Sequence, residues 1–233
     1  MTKDPTARAL PDPGGNPPCP VCRETATRPF QSVQGRDYHR CPACHATFLD
    51  PAQRPAPEVE RAEYTAHEND PADPGYRRFL ARLADPLLAR LSPGASVLDY
   101  GCGPGPALAA MLDEAGHRTS LYDPFFHPDP AVLAQTYDAV TCTEAVEHFH
   151  HPAAEFDRLA GLLRPGGVLA VMTCFQTDDS RFADWHYRRD PTHVVFYREE
   201  TFHHIAAARA WRCETPARNV AFLTRPPGGG TDT

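Results

Sequence analysis

No run of apolar residues in this sequence is long enough to cross a bilayer, and no positively charged start leads into an apolar stretch. From these absences we expect a soluble, cytoplasmic protein with no membrane partner. Basic residues are also too few for a chain whose main work is gripping phosphate backbones. Lys and Arg number 23 against 30 Asp and Glu, a formal net charge of −7. Nucleic acid is therefore an unfavoured partner, although a local basic patch remains compatible with the balance. Repeats and low-complexity tracts are absent too. A length of 233 residues suffices for one ordinary α/β domain plus a module too small to build its own core.

Proline, by contrast, is abundant. Its 26 copies fall mainly in the N-terminal third, around turns and at the very end. Residues 1–18 and 225–233 are short, polar and rich in Pro and Gly, so both read as disordered tails. The eight cysteines form two populations. Cys102, Cys142, Cys174 and Cys213 are scattered singly and read as small buried hydrophobes. Cys19, Cys22, Cys41 and Cys44 form two C-x-x-C pairs, and the interval from Cys22 to Cys41 is that of a four-thiolate zinc site. Redox dithiols are the competing reading, but neither pair follows a strand and opens a helix. Residues 19–48 therefore read as a zinc ribbon with a short hairpin between its knuckles. The metal would be structural, because four thiolates leave no open position. Zinc binding worth about 10–16 kcal/mol can hold together a segment that cannot bury enough apolar surface. Arg23, Arg28, Arg36 and Arg40 against Glu24 and Asp37 give the ribbon a slight basic excess, read as a solvated face.

Residues 49–91 read as a linker with packing helices. One short helix is expected around Val59 to Tyr64 and His67-Glu68-Asn69. Another is expected over 76–91, where Phe79, Leu80, Leu83, Leu87, Leu88 and Leu91 recur at helical spacing and Pro86 bends or divides it. From residue 92 to 224 strands and helices alternate. Strands are expected at 96–100, 119–122, 137–142 and 168–173, and helices at 107–115 (capped by Gly116) and 155–163. That alternation implies an α/β fold, a Rossmann-like parallel sheet with helices on both faces.

The loop Gly101-Cys102-Gly103-Pro104-Gly105 joins the first of these strands to its helix. Glycines there let a nucleotide-like ligand approach the backbone beside free N–H groups. Asp99 lies two positions before it. Asp123 ends the next strand, where a carboxylate can accept bonds from ribose hydroxyls. The run Val97-Leu98-Asp99-Tyr100-Gly101-Cys102-Gly103-Pro104-Gly105 resembles the first motif of the class I S-adenosylmethionine-dependent methyltransferases. Glu144-Ala145-Val146-Glu147-His148 is similar to a segment of their ubiquinone-biosynthesis O-methyltransferase-like branch, and Leu163-Arg164-Pro165-Gly166-Gly167 to the turn before their fifth strand. The resemblance implies S-adenosylmethionine as cofactor. Gly101 and Gly103 would run under its methionine portion, Asp99 would hold its amino group, and Asp123 would hold its ribose. Cys102, Gly105, Thr143 and Glu144 would complete the binding set. It further implies a seven-stranded sheet ending in a hairpin of 211–215 and 219–224. The stretch from Asp123 to Asp138 is short, so the third strand and its helix must be abbreviated, which leaves the adenine contact unassigned.

Methyl transfer asks the protein for positioning and a base. Two stretches lead to where the acceptor would sit. In the first, Glu144, Glu147 and His148 would share one face of a helix, as a base, a magnesium site or, the reading we prefer, a cofactor-pocket lining with capping neighbours. In the second, Phe182, Trp185-His186-Tyr187, Asp190-Pro191-Thr192-His193 and Phe196-Tyr197 suit an amphipathic pocket, or else pack the loop. His193 is the first choice as base, oriented by Asp190 or Tyr187. The expected partner is a small-molecule acceptor. Alternatives are an RNA-modifying enzyme whose ribbon docks RNA, and a non-catalytic cofactor- or partner-binding protein. The oligomeric state is not legible.

Overall fold

Two strands and a tight turn open the fold. In the computed structural model, which describes residues 15–66 and 70–228, β1 (Arg28–Val33) and β2 (Arg36–Arg40) pair antiparallel. Gln34 (φ 52°) and Gly35 (φ 76°) alone form their loop, and both are left-handed. That conformation matches the twist of the flanking strands. β3 (Thr47–Leu49) pairs with β2 and, on its other edge, with β8 (Val195–Phe196), which arrives from far along the chain. The result is an antiparallel sheet of order β1-β2-β3-β8.

The expected linker contains two helices. α1 (Pro57–Ala66) is short; His67-Glu68-Asn69, expected to continue it, lie outside the described residues. α2 (Pro74–Leu88) is capped by Asp73, whose Oδ1 accepts from Gly75 N at 2.5 Å, and begins with Pro74 at a position that needs no N–H. Pro86 does not divide it. It sits in the last turn, where one lost hydrogen bond is tolerated, and Ala89 N still donates to Asp85 O.

The larger sheet follows the alternating pattern. β4 (Ser96–Tyr100), α3 (Ala107–Glu114), β5 (Arg118–Tyr122), β6 (Tyr137–Thr143), α4 (Pro152–Gly161) and β7 (Leu163–Met172) supply its parallel part. After β8 come α5 (Glu199–Ala207), β9 (Arg212–Ala217) and β10 (Val220–Thr224). The order is β5-β4-β6-β7-β10-β9, parallel except for β10, which runs antiparallel to β7 and β9. This corrects the seven-stranded expectation: among the described residues the sheet has six strands, and a 3-10 turn (Pro130–Ala134) replaces the third. The stretch between Asp123 and Asp138 is too short to hold both a strand and a crossover helix.

Side chains alternate across the sheet, as the two-residue period of a strand requires. Val97, Ala170, Met172 and Phe222 face α2 and α3, whereas Leu98, Leu169, Val171 and Leu223 face the side of α4 and α5. The second core continues without interruption into the ribbon, through Tyr197, Phe196 and Phe182 to Tyr38, Phe48 and the cysteines. Both expected tails are partly described. Asn16 Nδ2 donates to Thr27 O at 2.9 Å, and Gly166 N donates to Pro226 O at 3.1 Å, while residues 1–14 and 229–233 lie outside. Among the described residues no helix is long and apolar enough to cross a membrane.

Candidate active site and metal centre

The four ribbon cysteines come together as the spacing predicts. Their sulfurs all lie within 4.8 Å of one another, with Cys19–Cys44 at 3.6 Å and Cys22–Cys41 at 3.5 Å. A tetrahedral zinc with bonds of about 2.3 Å needs sulfurs about 3.8 Å apart, so the donor set fits. Each knuckle closes the same way. Arg23 N donates to Cys19 O and His45 N to Cys41 O, and both Arg23 (φ 65°) and His45 (φ 63°) turn left-handed. The four thiols cannot all ionise side by side unless a cation sits between them. A hydrogen bond from Cys44 brings Cys19 down to about 6, while burial pushes Cys22 up to about 12. His39 and His45 are not part of the cluster.

At the carboxyl ends of β4, β5 and β6 lies a cavity of about 490 Å³, where open α/β sheets bind ligands. The glycine loop forms its floor. Gly101 has φ 75°, and a Cβ there would stand 2.7 Å from Ala145 Cβ, so only glycine fits. Gly103 (φ 65°) donates its N–H to Asp123 Oδ2 at 3.0 Å. Asp123 Oδ1 accepts from Phe125 N at 2.8 Å and Phe126 N at 3.1 Å. The carboxylate thus ties the loop to the turn after β5 while still lining the cavity.

A small side cavity of about 20 Å³ opens beneath the loop, lined by Asp99, Gly105, Thr143 and Tyr76 among others. Asp99 is 3% exposed and accepts one bond, from Thr141 Oγ1 at 2.8 Å. Burial, reinforced by the charge of Asp123, pushes its carboxyl up to about 6. Thr143 Oγ1 is buried without a hydrogen-bond partner, and Thr143 lines both cavities. A buried acid lacking a counter-charge and an orphaned hydroxyl side by side fit a cationic, hydrogen-bonding ligand such as the amino-acid end of S-adenosylmethionine. Cys102 lines both cavities as well, but burial and the two aspartates hold its thiol protonated.

The opposite wall carries the remaining candidates. Glu144 does not lie on a helix: it is left-handed (φ 47°), and only Val146–His148 form a 3-10 turn. The shared helical face expected for Glu144, Glu147 and His148 is therefore replaced by a different grouping. Glu147, His148 and His193 each bring one donor atom, all within 4.8 Å, an arrangement able to hold a divalent cation. His193 Nδ1 lies 2.7 Å from Tyr187 O and His148 Nδ1 lies 3.2 Å from Thr192 O. A carbonyl can only accept, so these contacts place a proton on Nδ1, and in the neutral imidazole the lone pair of His193 is then on Nε2. Asp190 Oδ2 stands 3.7 Å from that Nε2. Burial opposes ionisation of Asp190, but His193 and the bonds from Thr192 hold its carboxyl below the usual range.

Tyr187 serves through both its ends. Its carbonyl orients His193, while its hydroxyl stands 2.5 Å from Glu147 Oε1, 3.2 Å from Glu144 Oε2 and 2.9 Å from Thr173 Oγ1. The side chain itself is buried behind the cavity wall. Burial pushes Glu144 up to about 7, and burial plus the charge of Glu144 does the same to Glu147.

Phe182, Trp185, Phe196 and Tyr197 are not pocket walls; that expectation is corrected. Phe182 packs edge-on against Tyr38 at 4.9 Å, and Trp185 against Phe196 at 5.7 Å, inside the core shared with the ribbon. The lining that sequence reasoning missed comes from α1 and α2, with Glu60, Tyr64, Tyr76 and Phe79, and from Phe125 and Phe126. The aromatic pair directly after Asp123-Pro124 was the available signal for the last two.

A family model described as a methyltransferase domain matches residues 73–215. The ubiquinone biosynthesis O-methyltransferase of Xylella fastidiosa (strain M23) is 33% identical over 107 residues, covering 36% of this chain and 44% of that one. Its counterpart from Xanthomonas campestris pv. campestris (strain B100) is 31% identical over 120 residues, covering 40% and 49%. The chain thus spans about half the length of the curated relatives it matches. A crystal structure of Burkholderia thailandensis 1,6-didemethyltoxoflavin-N1-methyltransferase, with bound 1,6-didemethyltoxoflavin and S-adenosylhomocysteine, superposes with a TM-score of 0.51 at 20% identity. The alignment covers 85% of this chain and 99% of that one, a likeness of fold.

Proposed function

The chain belongs to the methyltransferase-domain family, and from that premise we propose that it moves a methyl group from S-adenosylmethionine to a small-molecule acceptor. The observation that carries the proposal is a cavity lined by two chemically distinct groups of residues. Gly101, Gly103, Asp123 and Thr143 form one group, with Asp99 in the small side cavity beside them, and Glu147, His148, Asp190 and His193 form the other.

Bound S-adenosylmethionine supplies an activated methyl group, open to in-line attack. Asp99 would pair with its ammonium group, Asp123 would accept from its ribose, and Phe125 and Phe126, which line the same cavity as Asp123, would offer its adenine an apolar surface. On the acceptor side, His193 Nε2 takes the proton of the attacking group. The Tyr187 carbonyl holds the imidazole in the tautomer that leaves Nε2 free. Asp190, kept ionised, stabilises the imidazolium that results. Tyr64 closes the cavity from above, its ring 5.4 Å from Phe125 and 5.1 Å from His148. Excluding water there strengthens each of these electrostatic contacts.

A small acceptor suits this site better than RNA. Three of the four ribbon arginines are engaged within the chain: Arg23 with Asp157, Arg40 with Asp179, and Arg36 with two backbone carbonyls. Among the described residues the ribbon presents no row of free cations for phosphates. A second reading, favoured by the convergence of Glu147, His148 and His193, has these residues hold a divalent cation that activates the acceptor. Magnesium-dependent turnover lost in His193→Ala distinguishes it from the base.

Calorimetry with S-adenosylhomocysteine tests the proposal. Wild type and His193→Ala should bind with equal, micromolar affinity, while His193→Ala loses about 100-fold or more of turnover. Absence of binding by zinc-replete wild type overturns the cofactor assignment, and unimpaired turnover removes His193 from the chemistry.

A further inference from the structure

The hairpin β1–β2 spans the distance between the zinc knuckles and the acceptor wall. β2 begins at Arg36 and ends one residue before Cys41. Five strand residues cover about 17 Å, so one end of this rod sits on the metal cluster and the other on residues 188–194. Two contacts are made at the tip. Gln34 Oε1 accepts from Arg188 Nη2 at 3.2 Å, and Arg188 is almost wholly buried. The Arg36 guanidinium spans two successive carbonyls, donating from Nη2 to Pro191 O at 2.9 Å and from Nη1 to Asp190 O at 3.5 Å. The tip itself is fixed, since Gln53 donates to Gly35 O at 3.2 Å and accepts from Asp37 N at 2.6 Å.

Residues 190–194 are thereby gripped from both sides. On the domain side, Val194 N donates to Glu147 O at 2.9 Å, and His148 Nδ1 to Thr192 O at 3.2 Å. On the ribbon side, Leu49 N donates to Val194 O at 2.9 Å, and β3 pairs with β8 through Thr47↔Phe196 and Phe48↔Val195. The ribbon pairing holds the C-terminal end of this segment. Its N-terminal end, Asp190 and Pro191, has Arg36 as its ribbon contact. His193 stands between these two anchors.

We propose that the ribbon is a positioning element of the acceptor site, and that Arg36 acts by clamping the Asp190–Pro191 carbonyls so that His193 is held at the cavity wall. This rests on the reading of His193 as the acceptor-side group. Arg36 touches neither cavity, so it is a positioning residue. Removing the guanidinium leaves Pro191 O without its donor and Asp190 O with the 3.4 Å bond from His193 N alone, which loosens the turn whose fourth residue is His193. A displacement of about 1 Å at such a group costs about 100-fold in rate.

The test compares zinc-replete wild type, Arg36→Ala, Arg36→Lys and, as a ribbon control, Arg28→Ala. The readouts are zinc content, S-adenosylhomocysteine calorimetry, and the His193 imidazole signal in NMR, assigned by its loss in His193→Ala. In Arg36→Ala the His193 signal should shift and broaden, with zinc content unchanged and cofactor affinity within about twofold of wild type. Arg36→Lys, able to reach one carbonyl, should return the signal most of the way, and Arg28→Ala should leave it in place. An unmoved His193 signal in Arg36→Ala overturns the proposal. So does loss of zinc or of cofactor binding together with the shift, because Arg36 would then be stabilising the fold at large. Failure of wild type to bind S-adenosylhomocysteine defeats the cofactor reading instead, and the NMR comparison still decides the clamp.

Discussion

Asp99→Asn should make the unliganded protein more stable while weakening its grip on the cofactor. The carboxyl is 3% exposed, and its one protein partner is the Thr141 hydroxyl. Burial raises it from 3.8 to about 6. An acid whose pKa is raised on folding loses stability as pH climbs from the unfolded value through the folded one. That loss is complete above about pH 6 and absent below about pH 4. Two pH units at about 1.36 kcal/mol each amount to about 3 kcal/mol at neutral pH. Asparagine keeps an oxygen for Thr141, places its amide toward the side cavity and never ionises. For a chain of this size the gain should lift the melting temperature by roughly 6–12 °C at pH 7, and the gain should vanish at pH 4. The cofactor ammonium, deprived of its charged partner, should bind about 10–100-fold more weakly. Differential scanning calorimetry across pH and titration with S-adenosylhomocysteine measure the two effects. A variant that is less stable than wild type at pH 7, or that binds the ligand equally well, refutes the reasoning.

Elemental analysis should find a single zinc per chain. Stripping it should lower one cooperative unfolding transition of the whole protein, because the ribbon and the sheet share a continuous core; an early ribbon step that leaves a later transition unmoved contradicts this. Tyr187→Phe removes the hydroxyl that helps Glu144 and Glu147 ionise, so both carboxyls should climb above about 7. The stability they withdraw still begins to be lost in their ordinary range, but the loss should continue to higher pH and grow larger, ending at the raised folded values. Superimposable pH profiles for the variant and wild type count against the hydroxyl's role.

The elements legible in the sequence were those specified by short-range patterns. The cysteine pairs, the glycine loop, Asp99, Asp123 and the alternation of strands with helices all depend on spacing over short stretches of chain. The shortage of chain between Asp123 and Asp138 announced only an abbreviated third strand; that a 3-10 turn stands in its place came from the structure. What misled was side-chain character taken as location. Trp185, Phe182 and Phe196 carry the composition of a pocket wall, yet the ribbon hairpin, a neighbour from near the other end of the chain, claims them for a core.

The sequence by itself determined the two chemistries, a thiolate cluster for a metal and a glycine-and-acid frame for a nucleotide-like ligand, because each is written in local residue type and distance along the chain. Only the tertiary structure decided that they are one machine. Pairing β3 with β8 and bridging Arg36 to Asp190 and Pro191 join residues from opposite ends of the sequence. No local pattern encodes such contacts. They arise because the ribbon, too small to bury its own apolar face, finds in residues 182–197 the surface that completes both cores.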